Sequence, residues 1–188
     1  RYLWNDLKNQ WSLSDKNDMR SHMGDSAYQK LIRDILYLQM IILNNSMNES
    51  NVTGTFISYR DSLLNWCPIG RNSRDKERNE FIKLDKDKNL RVNFVNMLKE
   101  RLGENKDLID IALGGDTSID IYPSGWNKTY ALRYYKGCDI IFVGDRCEKG
   151  GNDYHIYEAL AKKERAFKTS SPDQTIDIIR KIIIPIVS

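Results

Sequence analysis

Residues 138–153 read CDIIFVGDRCEKGGND: an apolar run (Ile140, Ile141, Phe142, Val143) stops at Gly144-Asp145, and a second acid closes Gly150-Gly151-Asn152-Asp153. A short β-branched and aromatic run bounded by glycine predicts a buried, parallel strand. In open α/β sheets, ligands sit beyond the carboxyl ends of such strands. Two carboxylates beside a tight Gly-Gly turn offer the hard oxygen donors that magnesium requires. A bare Gly-Asp pair is equally an ordinary strand-to-loop junction with solvated acids. The whole GDxxxxGGND pattern after an apolar strand is the more specific signal.

A second group of residues could hold anions. Arg60, Arg71 and Arg78 fall within one hairpin and the helix after it. The planar guanidinium fork matches a phosphate bidentately and stays charged at any working pH. Spacing by itself favours three solvated surface arginines. Ser118 and Asp120 alternate with Thr117, Ile119 and Ile121, so on a strand they share a face. A hydroxyl and a carboxylate there could hydrogen-bond sugar hydroxyls, or be no more than a polar outer face. Lys128 follows Gly125-Trp126-Asn127 at a predicted helix start, where an ammonium and the helix N-terminus together suit a phosphate. His22 and His155 have no acid/base partner visible in sequence and read as structural.

The elements that must position these groups follow from periodicity. In residues 26–43, Leu31, Ile35, Leu38 and Ile42 form one stripe, an amphipathic helix with Asp25-Ser26 as its candidate N-cap. The Asn-rich stretch 45–53 predicts a loop. Residues 54–59 and 63–67 predict a hairpin, broken by Pro68-Ile69-Gly70. Helices are expected over 75–84 and 90–102, the second with Val92, Phe94, Val95, Leu98 and Leu102 mostly inward. Asp87 is a candidate N-cap for it. Strands are expected over 108–113 and 117–122, around Gly114-Gly115, where glycine allows close backbone approach. Residues 21–122 thus predict an α+β unit, an antiparallel sheet with helices on one face. From 123 the pattern becomes helix (126–133), strand (140–143), helix (153–161), strand (166–168) and a last helix capped by Ser171-Pro172-Asp173. That alternation predicts part of a parallel α/β sheet, with the C-terminal IIRKIIIPIV as a final core element. Residues 1–20 read as an extension or linker.

The chain has 188 residues, room for one domain or one and a part. Its 29 basic and 26 acidic residues leave a net charge of +3, interspersed in sign and too balanced to argue for nucleic acid. Cys67, Cys138 and Cys147 have no metal-type spacing, which suits reduced thiols in a cytoplasmic protein. No signal peptide is visible, and no apolar run approaches the roughly 20 residues that span a bilayer.

GDxxxxGGND resembles the last motif of haloacid dehalogenase-like phosphotransferases. With GTFISYRDSLLNWCPIGRNSRDKERNEF (54–81) and GGDTSIDIYPSGWNKTYAL (114–132) in the same order, the chain is identified as a member of the eukaryotic phosphomannomutase family. The resemblance implies a cap domain, 21–122, and the C-terminal portion of a Rossmann-like core, 123–188, without that core's N-terminal strands. It assigns substrate binding to Arg60, Arg71, Arg78, Ser118 and Asp120, support of the phosphoryl group to Lys128, and magnesium to Asp145, with Asn152 and Asp153 completing the shell. It implies mannose 6-phosphate and mannose 1-phosphate as substrates, a hexose 1,6-bisphosphate as activator or intermediate, and a homodimer through the cap. The family's DxDxT nucleophile has no counterpart here. Asp85-Lys86-Asp87 is the nearest look-alike and follows no apolar strand, so the chain alone is expected to be inactive. Ala159 stands where the family carries an acid associated with a second cation, so a second cation site is not expected. The alternatives are a sugar-phosphate phosphatase on the same fold, or a non-catalytic fragment that binds sugar phosphate or dimerises.

Overall fold

A computed structural model describes residues 2–5, 7–13, 16–45 and 52–187. Most of the Asn-rich loop predicted over 45–53 lies outside them. Strands β1 (Tyr2–Asn5) and β2 (Gln10–Leu13) form an antiparallel pair that no signal above anticipates. Helix α1 (Met19–Met23) is also new, and its N-cap Asp18 accepts from the Ser21 amide at 2.7 Å. Helix α2 (Asp25–Asn45) follows directly, so Asp25 and Ser26 lie inside its first turn and do not cap it. Leu31, Ile35, Leu38 and Ile42 are at most 1% exposed, so the predicted stripe is the face that packs inward.

Strands β3 (Ile57–Tyr59) and β4 (Leu64–Trp66) pair as the expected hairpin. Helices α3 (Asp75–Lys88) and α4 (Leu90–Leu102) come next, then β5 (Ile109–Gly114) and β6 (Ser118–Pro123). The four strands form one antiparallel sheet in the order β3-β4-β6-β5. Leu64, Trp66, Ile119 and Ile121 are buried in the same core as the α2 stripe and Phe94 and Leu98 of α4. Burying each such side chain contributes about 1.5–3 kcal/mol. The Trp66 indole donates to Gln39 Oε1 at 2.7 Å, and the Gln39 amide donates to Pro68 O at 2.9 Å. A buried indole N–H is thereby satisfied across the helix–sheet interface.

Two expectations need correcting. Asp87 does not cap α4: it lies in the last turn of α3, and the break falls at Asn89, whose φ of 52° is left-handed. Val92 is 44% exposed, not inward. Arg91, Phe94, Val95, Leu98 and Leu102 take the inner arc, and Val92 stands about 100° round the helix from Arg91.

After a 3₁₀ segment (Lys128–Tyr135) where a helix was expected, β7 (Phe142–Gly144) pairs in parallel with β8 (Ala166–Lys168) across α5 (Tyr154–Ala161). The β7 strand starts two residues later than predicted, and Ile140–Val143 are half-buried because a two-stranded sheet covers little of them. Helix α6 (Pro172–Ile178), N-capped by Ser171, runs through a π segment (Ile179–Ile183) into α7 (Ile184–Val187). This end was expected to be core. Instead Ile176, Ile179, Ile182, Ile184 and Ile186 are exposed, and Ile178 alone of the isoleucines from 176 to 186 is buried. Two strands give them too little apolar surface to pack on. Among the described residues, no helix is long and apolar enough to cross a membrane.

Candidate functional site

Alternation on β4 and β6 turns Asn65, Ser118 and Asp120 away from the helices, because Leu64, Trp66, Ile119 and Ile121 take the core face. On that open face lies a cavity of about 280 Å³ lined by Arg60, Arg71, Arg78, Ser118 and Asp120, together with Asn65, Cys67 and the turn from Gly114 to Thr117. Arginines far apart in sequence meet there because Arg60 directly follows β3, the turn after β4 delivers Arg71, and the first turns of α3 deliver Arg78. Among the described residues, the guanidinium groups of Arg60 and Arg78 have no hydrogen-bond or ion-pair partner. They are the groups that an entering anion would meet.

Asn65, which the sequence reading missed, organises the wall. It is 2% exposed. Its Nδ2 donates to Asp120 Oδ1 at 2.7 Å and to Ser118 Oγ at 3.0 Å, while its Oδ1 accepts from Arg71 Nη1 at 2.6 Å. Ser118 Oγ donates onward to Gly114 O at 2.7 Å. A Cβ at Gly114 would stand 2.6 Å from Asp120 Oδ2, so that carboxylate lies over the strand only because the position has no side chain. Arg91 is buried and pairs with Asp85 at 2.7 Å, then donates to Gly115 O at 3.0 Å and Ser118 O at 3.2 Å. It props the β5–β6 turn from behind. A lone polar residue between two apolar ones on a strand was the available signal for Asn65; nothing in the pattern marked Arg91.

Lys128, Asp145 and Asp153 line another cavity, of about 420 Å³, with Gly144, Thr169 and Ser170. Asp145 follows the carboxyl end of β7, and Asp153 precedes α5. Asp153 is 3% exposed, and its carboxylate takes the Lys128 ammonium on one oxygen and the Arg146 amide, at 3.2 Å, on the other. Burial alone would raise its pKa, but these donors outweigh burial and hold it below the ordinary carboxylate value. Asn152 is not brought to this cavity. It lines a separate one of about 630 Å³ with Tyr154 and His155, and its buried Oδ1 has no partner among the described residues. His22 packs on Trp126 with ring centroids 4.8 Å apart.

Among the described residues, no group of three or more His, Cys, Asp or Glu side chains is placed to hold a metal ion. With Asp153 committed to Lys128, Asp145 is, among the described residues, the free carboxylate of its cavity. One such acid fits a magnesium ion whose other ligands are phosphate and water, since that ion normally takes one or two protein carboxylates.

Helices packed on an antiparallel sheet, an arginine-lined cavity on the sheet's open face and an aspartate loop beyond a parallel strand define the class: an α+β protein that gathers cationic groups at one site and carboxylates at another. The family model for eukaryotic phosphomannomutase matches residues 6–185, and the chain belongs to that family. It is 36% identical to a phosphomannomutase of Solanum lycopersicum over 165 residues, 87% of this chain and 62% of that protein. Against a phosphomannomutase of Schizosaccharomyces pombe it is 36% identical over 164 residues, 85% of this chain and 60% of that one. The chain thus spans about three-fifths of the length of these curated relatives. Among solved structures, an N-terminally truncated IMP-nucleotidase of Plasmodium falciparum in its IMP-bound form superposes with a TM-score of 0.52 at 13% identity, covering 96% of this chain and 45% of that one. At that identity the likeness concerns the fold.

Proposed function

We propose that the chain is the cap, residues 21–122, and the C-terminal part of the haloacid dehalogenase-like core, residues 123–188, of a magnesium-dependent phosphomannomutase. That enzyme interconverts mannose 6-phosphate and mannose 1-phosphate through an aspartyl-phosphate, with a hexose 1,6-bisphosphate as intermediate or activator. It supplies mannose 1-phosphate for GDP-mannose synthesis in the cytoplasm. The observation that carries this reading is the convergence of Arg60, Arg71 and Arg78 with Ser118 and Asp120 on one cavity.

Phosphoryl transfer is mainly a matter of positioning and charge, which suits a site built this way. Arg60 and Arg78, uncommitted, take the phosphate that does not react, and Arg71 is pre-oriented by Asn65. Asp120 keeps one carboxylate oxygen beyond its bond from Asn65 to accept a sugar hydroxyl. Lys128, held by Asp153, presents its ammonium to the phosphate at the reacting end. Bound magnesium, with Asp145 as its ligand from this chain, supplies charge neutralisation there. Packing of the cap against the core excludes water and favours return of the phosphoryl group to sugar over hydrolysis. The nucleophilic aspartate is not among these 188 residues, so the chain alone turns over no sugar phosphate. Self-association would use the cap, where Leu36 and Met40 of α2 are 52% and 53% exposed and β3 is a sheet edge; a sedimentation profile showing only monomer at micromolar concentration would count against it.

Calorimetry with mannose 6-phosphate, mannose 1-phosphate and unphosphorylated mannose tests the reading. Saturable binding of both phosphates but not of mannose is expected. Equal heats for all three ligands, or turnover by the repurified chain alone, would overturn it.

A further inference from the structure

Resting on the two-cavity reading above, we infer that Arg146 is a positioning residue that sets the register between the arginine cavity and the Lys128–Asp145 cavity. Its main chain belongs to one wall and its side chain to the other. On the first side, the Arg146 amide donates to Asp153 Oδ2 at 3.2 Å, and its carbonyl accepts from the Asp153 amide at 3.1 Å. The other oxygen of that carboxylate holds Lys128. A Cβ at Gly151 would stand 2.1 Å from the Arg146 carbonyl oxygen, so the second glycine of the Gly-Gly turn lets the loop close on this residue.

On the other side, the guanidinium crosses to the β5–β6 turn. Its Nη1 donates to Gly115 O at 3.0 Å and its Nη2 to Asp116 Oδ1 at 2.7 Å. Both acceptor residues line the arginine cavity. Gly115 O also accepts from Arg91 at 3.0 Å, so one carbonyl is held from within the α+β unit and from outside it. Other polar links between the two parts of the chain, the Ser124 amide to Leu108 O at 3.0 Å and the Gly125 amide to Asp110 at 2.9 Å, lie where the chain crosses over. They anchor the root of the connection. Arg146 lies further along and limits rotation about that root.

The Arg146 and Asp116 side chains are 35% and 61% exposed, so their pairing adds little to folding stability and a variant should fold. Its effect falls on geometry. A ligand with an anionic group at each end binds well only when both cavities are held at the spacing it spans; a one-ended anion needs one cavity alone.

Titration calorimetry of the 188-residue chain with a hexose 1,6-bisphosphate and with inorganic phosphate separates the two cases. Arg146→Ala should weaken the bisphosphate about tenfold, within the usual range of coupling between sites, while phosphate affinity stays within about twofold. Asp116→Ala should reproduce part of that loss, and the double variant should be no worse than Arg146→Ala. Hydrogen exchange should quicken at the amides of residues 114–118 in Arg146→Ala without change in β4. Equal losses for both ligands, or unchanged bisphosphate affinity, would overturn the assignment. If the native chain binds neither ligand, the proposed function falls; faster exchange at 114–118 in the variant would still support Arg146 as the link between the walls, and unchanged exchange would overturn it.

Discussion

Replacing Asn65 with alanine removes three hydrogen bonds from the centre of the arginine cavity. Two of them reach charged groups, Asp120 at 2.7 Å and Arg71 at 2.6 Å, and the third reaches Ser118 at 3.0 Å. In a dry interior the charged pair alone would cost about 3–6 kcal/mol. Here the partners border an open cavity of about 280 Å³, so water can replace the lost amide. Each bond should then cost about 1 kcal/mol, or about 3 kcal/mol in all. For a chain of this length that corresponds to a fall in Tm of roughly 6–12 °C. Phosphate affinity should fall as well, because Arg71 loses the acceptor that orients it. Asn65→Asp keeps the shape but sets a second acid opposite Asp120, its partner in the strand register, and should abolish phosphate binding through like charge. Denaturant unfolding by circular dichroism and phosphate calorimetry are the assays. An alanine variant within about 0.5 kcal/mol of the native chain, the size of an ordinary surface change, would show that Asn65 organises nothing.

Arg60→Ala, Arg71→Ala and Arg78→Ala should each weaken sugar-phosphate binding by roughly 1.5–3 kcal/mol. Arg71→Ala alone of the three should also lower Tm, since only that guanidinium bonds to Asn65; equal thermal shifts in all three variants would contradict this. Magnesium should bind the chain more weakly than about a millimolar dissociation constant, roughly 4 kcal/mol, because Asp145 is, among the described residues, the one free carboxylate of its cavity. Saturable calorimetric binding tighter than that would mean the site is complete without further residues. The Tyr122 hydroxyl is pushed up to about 12 by burial and then by the nearby Asp110 and Asp120 charges. Its folded-state pKa exceeds the ordinary value of 10.0, so its contribution to stability is whole below pH 10.0 and is lost as pH rises toward about 12. Tyr59 is likewise pushed up to about 12, so ultraviolet titration should show late-ionising tyrosines of which Tyr122→Phe removes one; a late component of unchanged size would refute the assignment.

Local rules reached the elements that bury a periodic face. Leu31, Ile35, Leu38 and Ile42 repeat at helical spacing, and Ile119 and Ile121 alternate, so burial of one face dictates both helix and strand without knowledge of any partner. The motifs pointed to Arg60, Arg71, Arg78, Ser118, Asp120, Lys128, Asp145 and Asp153 through the family resemblance, because residue type states what a guanidinium or a carboxylate can bind but not whether it stays solvated. Asn152 shows the limit of such reasoning. It stands next to Asp153 in sequence, but where the loop enters α5 the two line different cavities.

What only the tertiary structure decided is how distant residues are shared. Asn65 gains its importance from Asp120, its neighbour across the sheet, and from Arg71 beyond a turn; Arg91 gains its own from a carbonyl 24 residues away. Arg146 follows the motif aspartate in sequence yet spends its guanidinium on the opposite wall. The fate of the C-terminal isoleucines was decided in the same way, by how much sheet there is to cover. Hydrogen-bond partnership and burial are properties of pairs of surfaces, and a chain read one residue at a time carries only one member of each pair.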